Sequence, residues 1–275
     1  MKKPLKRNIL LNPGPVTTSD LVKEALIVPD ICHRESEFAE LIQSIRGDLL
    51  EVVGAKEDFT TVLFAASGTG ALEACISSVV SPNKKILVLN NGSYGQRLLD
   101  IATRYGIQTV EFQVDYDVPV PLEKLADILE NDSDIEHVAI VHHETSSGIL
   151  NPLREISKVC RRYNRYFIVD AMSSYAGAPI NVYDDHIDYL IASSNKCLHG
   201  MPGLAFVIAK RSALEATEGN ARTYYFDLHQ QNRSLDKDGV FAFTPPVQVI
   251  YSLKQALLAL QAEGVEGRIA RYHER

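Results

Sequence analysis

Short apolar runs rich in branched residues recur along the chain, with polar segments between them. The runs lie at residues 62–64, 86–89, 138–141, 167–169, 189–191 and 204–208. Short runs of this composition are typical of strands that are buried on both faces. We therefore predict a β-strand at each run.

Apolar residues between these runs recur at helical spacing, which predicts helices with one buried face. One such face comprises Phe38, Leu41, Ile42, Ile45 and Leu49, and another comprises Ile250, Leu253, Leu257 and Leu260. Strands that alternate with helices predict an α/β fold, with a mostly parallel sheet covered by helices on both faces. The polar residues 220–238 are interpreted as an irregular connection.

Composition narrows the class of protein. With 275 residues, 45% of them hydrophobic, the chain can bury a substantial core. Its formal net charge of -7 would repel a phosphate backbone, which argues against nucleic acid as a partner. The four cysteines are far apart and form no Cys-x-x-Cys pair, and no apolar segment is long enough for a signal peptide or a membrane span. We expect a cytoplasmic protein with no membrane partner.

Ligands of such sheets bind beyond the carboxyl ends of the strands, so the polar residues after each run are the first candidates. Ser67, Gly68 and Thr69 follow one strand and precede a helical segment. Small residues at a helix N-terminus let backbone N–H groups and hydroxyls approach an anion. The alternative is a tight turn in which Ser67 only caps the helix.

Asp170 ends a strongly apolar strand. A buried carboxylate is costly unless it is paired, and a protonated pyridine nitrogen would be a suitable partner. The alternative is that Asp170 caps the next helix.

Lys196 also follows a buried strand, in the segment Ser-Ser-Asn-Lys-Cys at residues 193–197. Desolvation would make its amine nucleophilic, as a covalent bond to pyridoxal phosphate requires, whereas a surface lysine is the alternative.

The segment His142, His143, Glu144 and Thr145 follows another strand. Adjacent strand residues point to opposite faces, so the two histidines and the glutamate would not converge on a metal ion. We expect no metal, and we expect the Thr145 hydroxyl to face the same crevice as the other candidates.

The order of these segments resembles that of the class V aminotransferases, which belong to the fold type I superfamily of pyridoxal-phosphate enzymes. The resemblance runs from Asn-Pro-Gly-Pro at residues 12–15 almost to the last residue, and it includes Phe-Thr-Pro-Pro at residues 243–246. Further similar segments lie at residues 32–38, 91–97, 143–148, 170–174, 193–197 and 219–222. The resemblance implies pyridoxal 5'-phosphate (PLP) as cofactor, a small-molecule amino donor and a 2-oxo acid as substrates, and a homodimer with a shared active site.

The resemblance also implies roles for individual residues. Lys196 would bond to the cofactor and move a proton between substrate and cofactor, and Asp170 would hold the pyridine nitrogen. The other cofactor contacts would come from Ser67, Gly68, Thr69, Tyr94, Thr145, Asn195 and Thr244. Of these, Tyr94 would stack on the ring, and Thr244 would reach the phosphate of the neighbouring subunit. Gly14 would lie near the substrate.

The implied reaction moves the amino group of 2-aminoethylphosphonate to pyruvate and gives phosphonoacetaldehyde and alanine. Alanine or serine with glyoxylate or pyruvate is the alternative within the class. A PLP-binding module without catalytic activity is an alternative from a different class.

Residues 1–262 are expected to form the PLP-binding large domain with its N-terminal segment. Residues 263–275 would begin a C-terminal small domain that is otherwise absent, together with its substrate-carboxylate arginine. We then expect poor turnover with pyruvate and an uncovered apolar patch on the helix that carries Ile250 and Leu253. Arg34 and Arg222 are the first arginines within the chain that could take the missing role.

Overall fold

The computed structural model describes residues 8–116 and 118–274. The predicted large domain starts at residue 1, so its first seven residues lie outside the described part, as do Asp117 and Arg275. Within the described part, no helix is both long enough and apolar enough to cross a membrane.

The elements alternate along the chain as the sequence predicts. Within the described residues the helices are α1 (Asp20–Glu24), α2 (Ser36–Val52), α3 (Gly68–Val79), α4 (Ser93–Arg104), α5 (Leu122–Asn131), α6 (Leu153–Arg162), α7 (Arg211–Glu215), α8 (Leu228–Asp238), α9 (Val247–Glu263) and α10 (Val265–His273). The strands are β1 (Phe59–Phe64), β2 (Lys85–Asn90), β3 (Gln108–Gln113), β4 (Ile135–Val141), β5 (His143–Glu144), β6 (Ile149–Leu150), β7 (Tyr166–Asp170), β8 (Tyr189–Ser193) and β9 (Ala205–Lys210). Each predicted apolar run overlaps one of these strands.

Seven of the strands form one sheet in the order β1-β9-β8-β7-β4-β2-β3, and β5 pairs with β6 in a separate hairpin. The pairs from β8 through β7, β4 and β2 to β3 are parallel. Within this seven-stranded sheet, as far as the structure describes it, only the pairs of β9 with β1 and with β8 are antiparallel. The predicted mostly parallel α/β sheet is therefore confirmed.

Burial shows that both faces of the sheet are covered over most of its width. Every residue of the central strand β8 and of the edge strand β1 is buried, although successive side chains in a strand point to opposite faces. The other edge strand, β3, differs, because its residues are exposed or half-buried. Its sequence Gln-Thr-Val-Glu-Phe-Gln lacks an apolar run, so the search for such runs missed it.

The interpretation of residues 220–238 as an irregular connection was wrong for α8. Asp227 caps this helix by accepting a hydrogen bond from the Gln230 N–H at 2.9 Å, and Gly239 ends it with φ of 68°. Arg46, which is buried on α2, pairs with Asp236 of α8 at 2.6 Å. A polar helix is thus fixed by partners that are distant in sequence, and local periodicity does not reveal it.

The prediction of an uncovered apolar patch on α9 was also wrong. Its members Ile250, Leu253, Leu257 and Leu260 are at most 1% exposed. The helix packs against α1 and α2, and α10 follows it after a turn at Gly264. The predicted boundary at residue 262 lies close to this turn, and the division into two domains stays a prediction.

Candidate active site

A cavity of about 270 Å³ lies at the carboxyl edge of the parallel strands. Its lining comes mainly from the segments that follow β1, β2, β4, β7 and β8: Ser67, Gly68, Thr69, Leu72, Tyr94, Arg97, Val141, His143, Thr145, Asp170, Met172, Ser173, Ser193, Asn195, Lys196, Pro202 and Gly203. The volume is close to the lower end of the range for small-molecule sites.

The strand order explains the position of the cavity. From β2 the chain crosses to β3 on one side and then returns to β4 on the other, so the order reverses between β2 and β4. Ligands of open α/β sheets bind beyond the strand ends at such a reversal. Tyr94 and Thr145 follow these two strands. Asp170 ends the next strand of the sheet, β7, and Lys196 follows the one after it, β8.

The turn before α3 has the form expected of an anion site. Ser67 occupies the N-cap position, yet its hydroxyl makes no capping hydrogen bond, so the interpretation as a simple cap fails. At Gly68 the backbone lies close to the Met172 side chain, since a Cβ there would lie 2.4 Å from the Met172 sulfur and would displace it. Thr69 completes the turn on the cavity wall. Small residues and the positive end of α3 therefore face the cavity.

Asp170 ends β7 and is 2% exposed. Its Oδ1 accepts a hydrogen bond from the N–H of Met172 at 2.9 Å, and no helix follows that it could cap. The pKa of Asp170 is raised to about 7, chiefly by burial; nearby Glu144 also raises this pKa, while the Met172 N–H, Arg97 and Lys196 lower it. The carboxyl group thus lines the cavity, and a cationic ligand atom there would stabilise its charged form.

Lys196 lies on the turn after β8 and lines the same cavity. The N-terminal loop covers this turn, with the Val16 N–H donating to the Asn195 carbonyl at 3.2 Å. Gly14 approaches so closely that a Cβ there would lie 2.3 Å from the Lys196 Cδ. Its φ of 146° also favours glycine. The structure therefore brings the predicted substrate-side glycine next to the predicted lysine.

Arg97 is a cavity residue that we did not predict from the sequence. Its guanidinium carbon lies 4.7 Å from the centre of the Tyr94 ring, and Nη1 donates to the Thr69 Oγ1 at 3.5 Å. The available signal was the spacing of three between Tyr94 and Arg97 on α4, which places both on one helical face. Among the described residues, no carboxylate forms an ion pair with Arg97.

The Thr145 side chain lies at the cavity, as predicted, and is tied to Ser173 by a hydrogen bond of 3.0 Å between their hydroxyl oxygens. Ser173 donates in turn to the His143 carbonyl at 2.8 Å, and the His143 Nδ1 lies 3.1 Å from the Ser173 Oγ. Burial lowers the pKa of His143. Ser173 was missed as a site residue, although it lies in the segment that also contains Asp170.

The two residues on either side of His143, His142 and Glu144, have structural roles. Glu144 is buried and accepts hydrogen bonds from the N–H groups of Tyr94 and Gly95 at the start of α4, at 3.1 and 3.0 Å. His142 points elsewhere, with its Nδ1 3.0 Å from the Ser174 Oγ. No group of three potential metal ligands converges within the described residues. Glu144 therefore fixes the helix that carries Tyr94 and Arg97.

Three of the candidate residues lie away from the cavity. Thr244 is exposed and does not line it. Arg222 donates to the carbonyls of Ser77 and Val80 at 3.2 and 2.9 Å, so it closes the C-terminal end of α3. Arg34 is exposed and is also absent from the lining.

The cavity residues fit PLP. A buried carboxyl group suits the ring nitrogen, a lysine amine suits the aldehyde, and a glycine turn at a helix N-terminus suits the phosphate. These features, on a mostly parallel α/β sheet, define a PLP-dependent enzyme of fold type I. Residues 23–275 match the sequence model of the family described as "Aminotransferase class-V". The chain belongs to this family and is a PLP-dependent aminotransferase.

Relatives agree with this assignment. The chain is 42% identical over 267 residues to the 2-aminoethylphosphonate--pyruvate transaminase of Bacillus cytotoxicus, covering 96% of this chain and 73% of the relative. It is also 42% identical to the enzyme of the same name from Lysinibacillus sphaericus, covering 96% and 72%. Solved structures with a TM-score of 0.88 include pyridoxamine-pyruvate aminotransferase from Mesorhizobium loti, at 27% identity and covering 98% of this chain and 70% of that one. Alanine--glyoxylate aminotransferase from Nostoc sp. also scores 0.88, at 28% identity and covering 98% and 73%.

Proposed function

We propose that this aminotransferase moves the amino group of 2-aminoethylphosphonate to pyruvate and gives phosphonoacetaldehyde and alanine. The observation that carries the proposal is the similarity to transaminases named for these two substrates, at 42% identity over 96% of the chain. The cavity at the carboxyl edge of the sheet supplies the residues for the reaction.

Bound PLP supplies an electron sink that stabilises negative charge on the substrate carbon. We propose that the Lys196 amine would hold the cofactor and, once the amine of the donor had replaced it there, would be free to move the proton between the substrate carbon that bears the amino group and the cofactor. The Asp170 carboxylate keeps the ring nitrogen protonated, since the pair neutralises a charge that would otherwise be buried alone. Gly14 leaves room for the substrate beside the Lys196 side chain.

The remaining residues bind and orient the cofactor. Ser67, Gly68 and Thr69 bind the phosphate at the N-terminus of α3, and Asn195 lines the phosphate side. Tyr94 stacks on the ring and Thr145 contacts the ring hydroxyl. Because Arg97 contacts Thr69, it adds positive charge on the phosphate side of the cavity.

The proposed assembly is a cytoplasmic homodimer in which Thr244 reaches the phosphate of the neighbouring subunit. Its exposure and its position outside the cavity are consistent with a role in a second copy. Beside it, Phe243 stacks on Tyr225 with ring centres 4.9 Å apart, and Tyr224 is 77% exposed. Exposed aromatic side chains are enriched at protein interfaces.

The similarity to alanine--glyoxylate aminotransferase favours a second candidate, with alanine or serine as donor and glyoxylate or pyruvate as acceptor. A titration of the PLP-loaded protein with 2-aminoethylphosphonate, serine and alanine, followed by visible absorption, separates the two. Alanine should convert the cofactor in both cases, because it is the product of the proposed reaction. Conversion by 2-aminoethylphosphonate at lower concentration than by serine supports the proposal. Preference for serine contradicts it, and no conversion by any donor indicates a binding module.

A further inference from the structure

The turn that carries Lys196 is held by hydrogen bonds between its own backbone groups. The Ser194 carbonyl accepts from the Gly200 N–H at 2.8 Å, and the Lys196 carbonyl accepts from the His199 N–H at 2.9 Å. These bonds close the turn on itself. The next carbonyl along the chain is that of Cys197, which is 7% exposed, so it also needs a donor from within the protein.

Arg268 of α10 supplies that donor. Its Nη1 donates to the Cys197 carbonyl oxygen at 2.5 Å. The Arg268 side chain is only 3% exposed, although arginine is rarely buried without a partner. A charged donor thus contacts the peptide group directly after Lys196.

Glu263 orients the Arg268 guanidinium. The Arg268 Nε donates to Oε2 of Glu263 at 2.6 Å, which leaves Nη1 directed at the turn. Arg271 donates to the other oxygen, Oε1, at 2.7 Å. Hydrogen bonds from Arg271 and Arg268 lower the pKa of Glu263 to about 2, so the carboxylate stays charged at neutral pH.

A second contact joins α10 to the same turn. The Tyr272 hydroxyl lies 2.9 Å from the His199 Nε2. Burial and the charges of Arg268 and Arg271 lower the pKa of His199 to about 4, so the imidazole is neutral near pH 7. The helix therefore contacts the turn at two places, on either side of Leu198.

We propose that Arg268 is a positioning residue that holds Lys196 in register with the aldehyde of the cofactor. The inference rests on the assignment of Lys196 under the proposed function. Arg268 does not line the cavity, so it acts through the Cys197 peptide group and touches neither cofactor nor substrate. Its loss should leave the phosphate and ring contacts intact while the lysine amine loses its fixed place.

Two ligands separate this role from a general structural one. PLP can bond to a lysine, whereas pyridoxine 5'-phosphate has the same ring and phosphate with an alcohol in place of the aldehyde, so it cannot. The dissociation constants of both are measured by equilibrium titration for the wild type, Arg268→Met, Arg268→Lys and Arg271→Met. Arg271→Met is the matched control, since it removes a guanidinium of the same helix that shares Glu263 but does not contact Cys197.

Arg268→Met should bind PLP about tenfold more weakly, as expected for loss of a charged hydrogen bond, with less than about a twofold change for pyridoxine 5'-phosphate. Arg268→Lys should recover part of the loss, and Arg271→Met should match the wild type. Equal weakening of both ligands, or no change for PLP, would overturn the proposal. If Arg268→Met does not fold, the affinities of Arg268→Lys for the two ligands are compared instead. Lysine keeps the positive charge but lacks the paired donors of the guanidinium, so this variant should also bind PLP more weakly while its affinity for pyridoxine 5'-phosphate is nearly unchanged.

Lys196→Ala tests the underlying assignment separately. It should bind the two ligands with similar affinity, because the advantage of the aldehyde is lost. If this variant still prefers PLP strongly, the lysine is misassigned. If it loses the preference while Arg268→Met keeps it, the lysine is correct and the role of Arg268 is wrong.

Discussion

Replacing Asp170 by asparagine removes a buried ionisable group with little change in side-chain size. In the cofactor-free protein, burial raises the pKa of Asp170 to about 7, from an ordinary value of 3.8. Between these two values the folded chain holds a proton that the unfolded chain has released. The folded state should therefore lose stability as the pH rises through this window, whereas an asparagine side chain adds no such dependence.

The size of the effect follows from the width of the window. Each pH unit between the two pKa values changes the free energy of unfolding by about 1.4 kcal/mol, so the rise from about pH 5 to the folded pKa near 7 costs about 3 kcal/mol. For a chain of this size, 1 kcal/mol shifts the Tm by roughly 2 °C. Between pH 5 and pH 8, the Tm of the wild type should thus fall by roughly 6 °C relative to that of Asp170→Asn.

The assay is thermal unfolding of the cofactor-free proteins across this pH range, with Asp100→Asn as control because Asp100 is exposed on α4. The Tm of this control should change with pH in the same way as that of the wild type. Parallel Tm profiles for the wild type and Asp170→Asn would refute the reasoning. Added PLP should stabilise the wild type more than Asp170→Asn at pH 8, since the carboxylate then gains a cationic partner.

Other substitutions test the remaining cofactor contacts. Lys196→Ala should lose the visible absorption of the bound cofactor and all aminotransfer while its circular dichroism is unchanged; a retained band would contradict the lysine assignment. Arg97→Met should weaken PLP binding about tenfold in an equilibrium titration, because a charged donor is lost on the phosphate side, and unchanged affinity would remove Arg97 from the site. Thr244→Val should weaken PLP binding by several-fold in a protein that light scattering shows to be a dimer, and a monomer with tight PLP binding would rule out the shared site.

The strand ends were predictable because buried parallel strands have a strong local signature. Asp170 and Lys196 each follow such a run, and the carboxyl ends of parallel strands meet at one edge of the sheet. Gly68 was predictable for a related reason, since small residues at a helix N-terminus leave backbone N–H groups accessible to an anion. For these residues, local sequence and sheet topology were sufficient to predict a common cavity.

Other parts of the molecule depend on contacts that are distant along the chain. Glu144 caps α4 through N–H groups 49 and 50 residues earlier, and Arg268 contacts a carbonyl 71 residues earlier. Neither partner can be inferred from local spacing. The polar α8 was missed for the same reason, because its buried residue Gln231 binds the carbonyl of Leu63 on β1. Periodicity detects apolar faces but not polar groups that are satisfied across the fold.

The central claim is that Lys196 holds the cofactor of this aminotransferase. The most direct measurement is borohydride reduction of the PLP-loaded protein, followed by proteolysis and mass spectrometry of the labelled peptide. The reduced cofactor should be attached to Lys196, with no label when 2-aminoethylphosphonate is added before reduction in amounts that convert all of the cofactor. A label on any other lysine, or no stable label in protein that has bound PLP, would contradict the account.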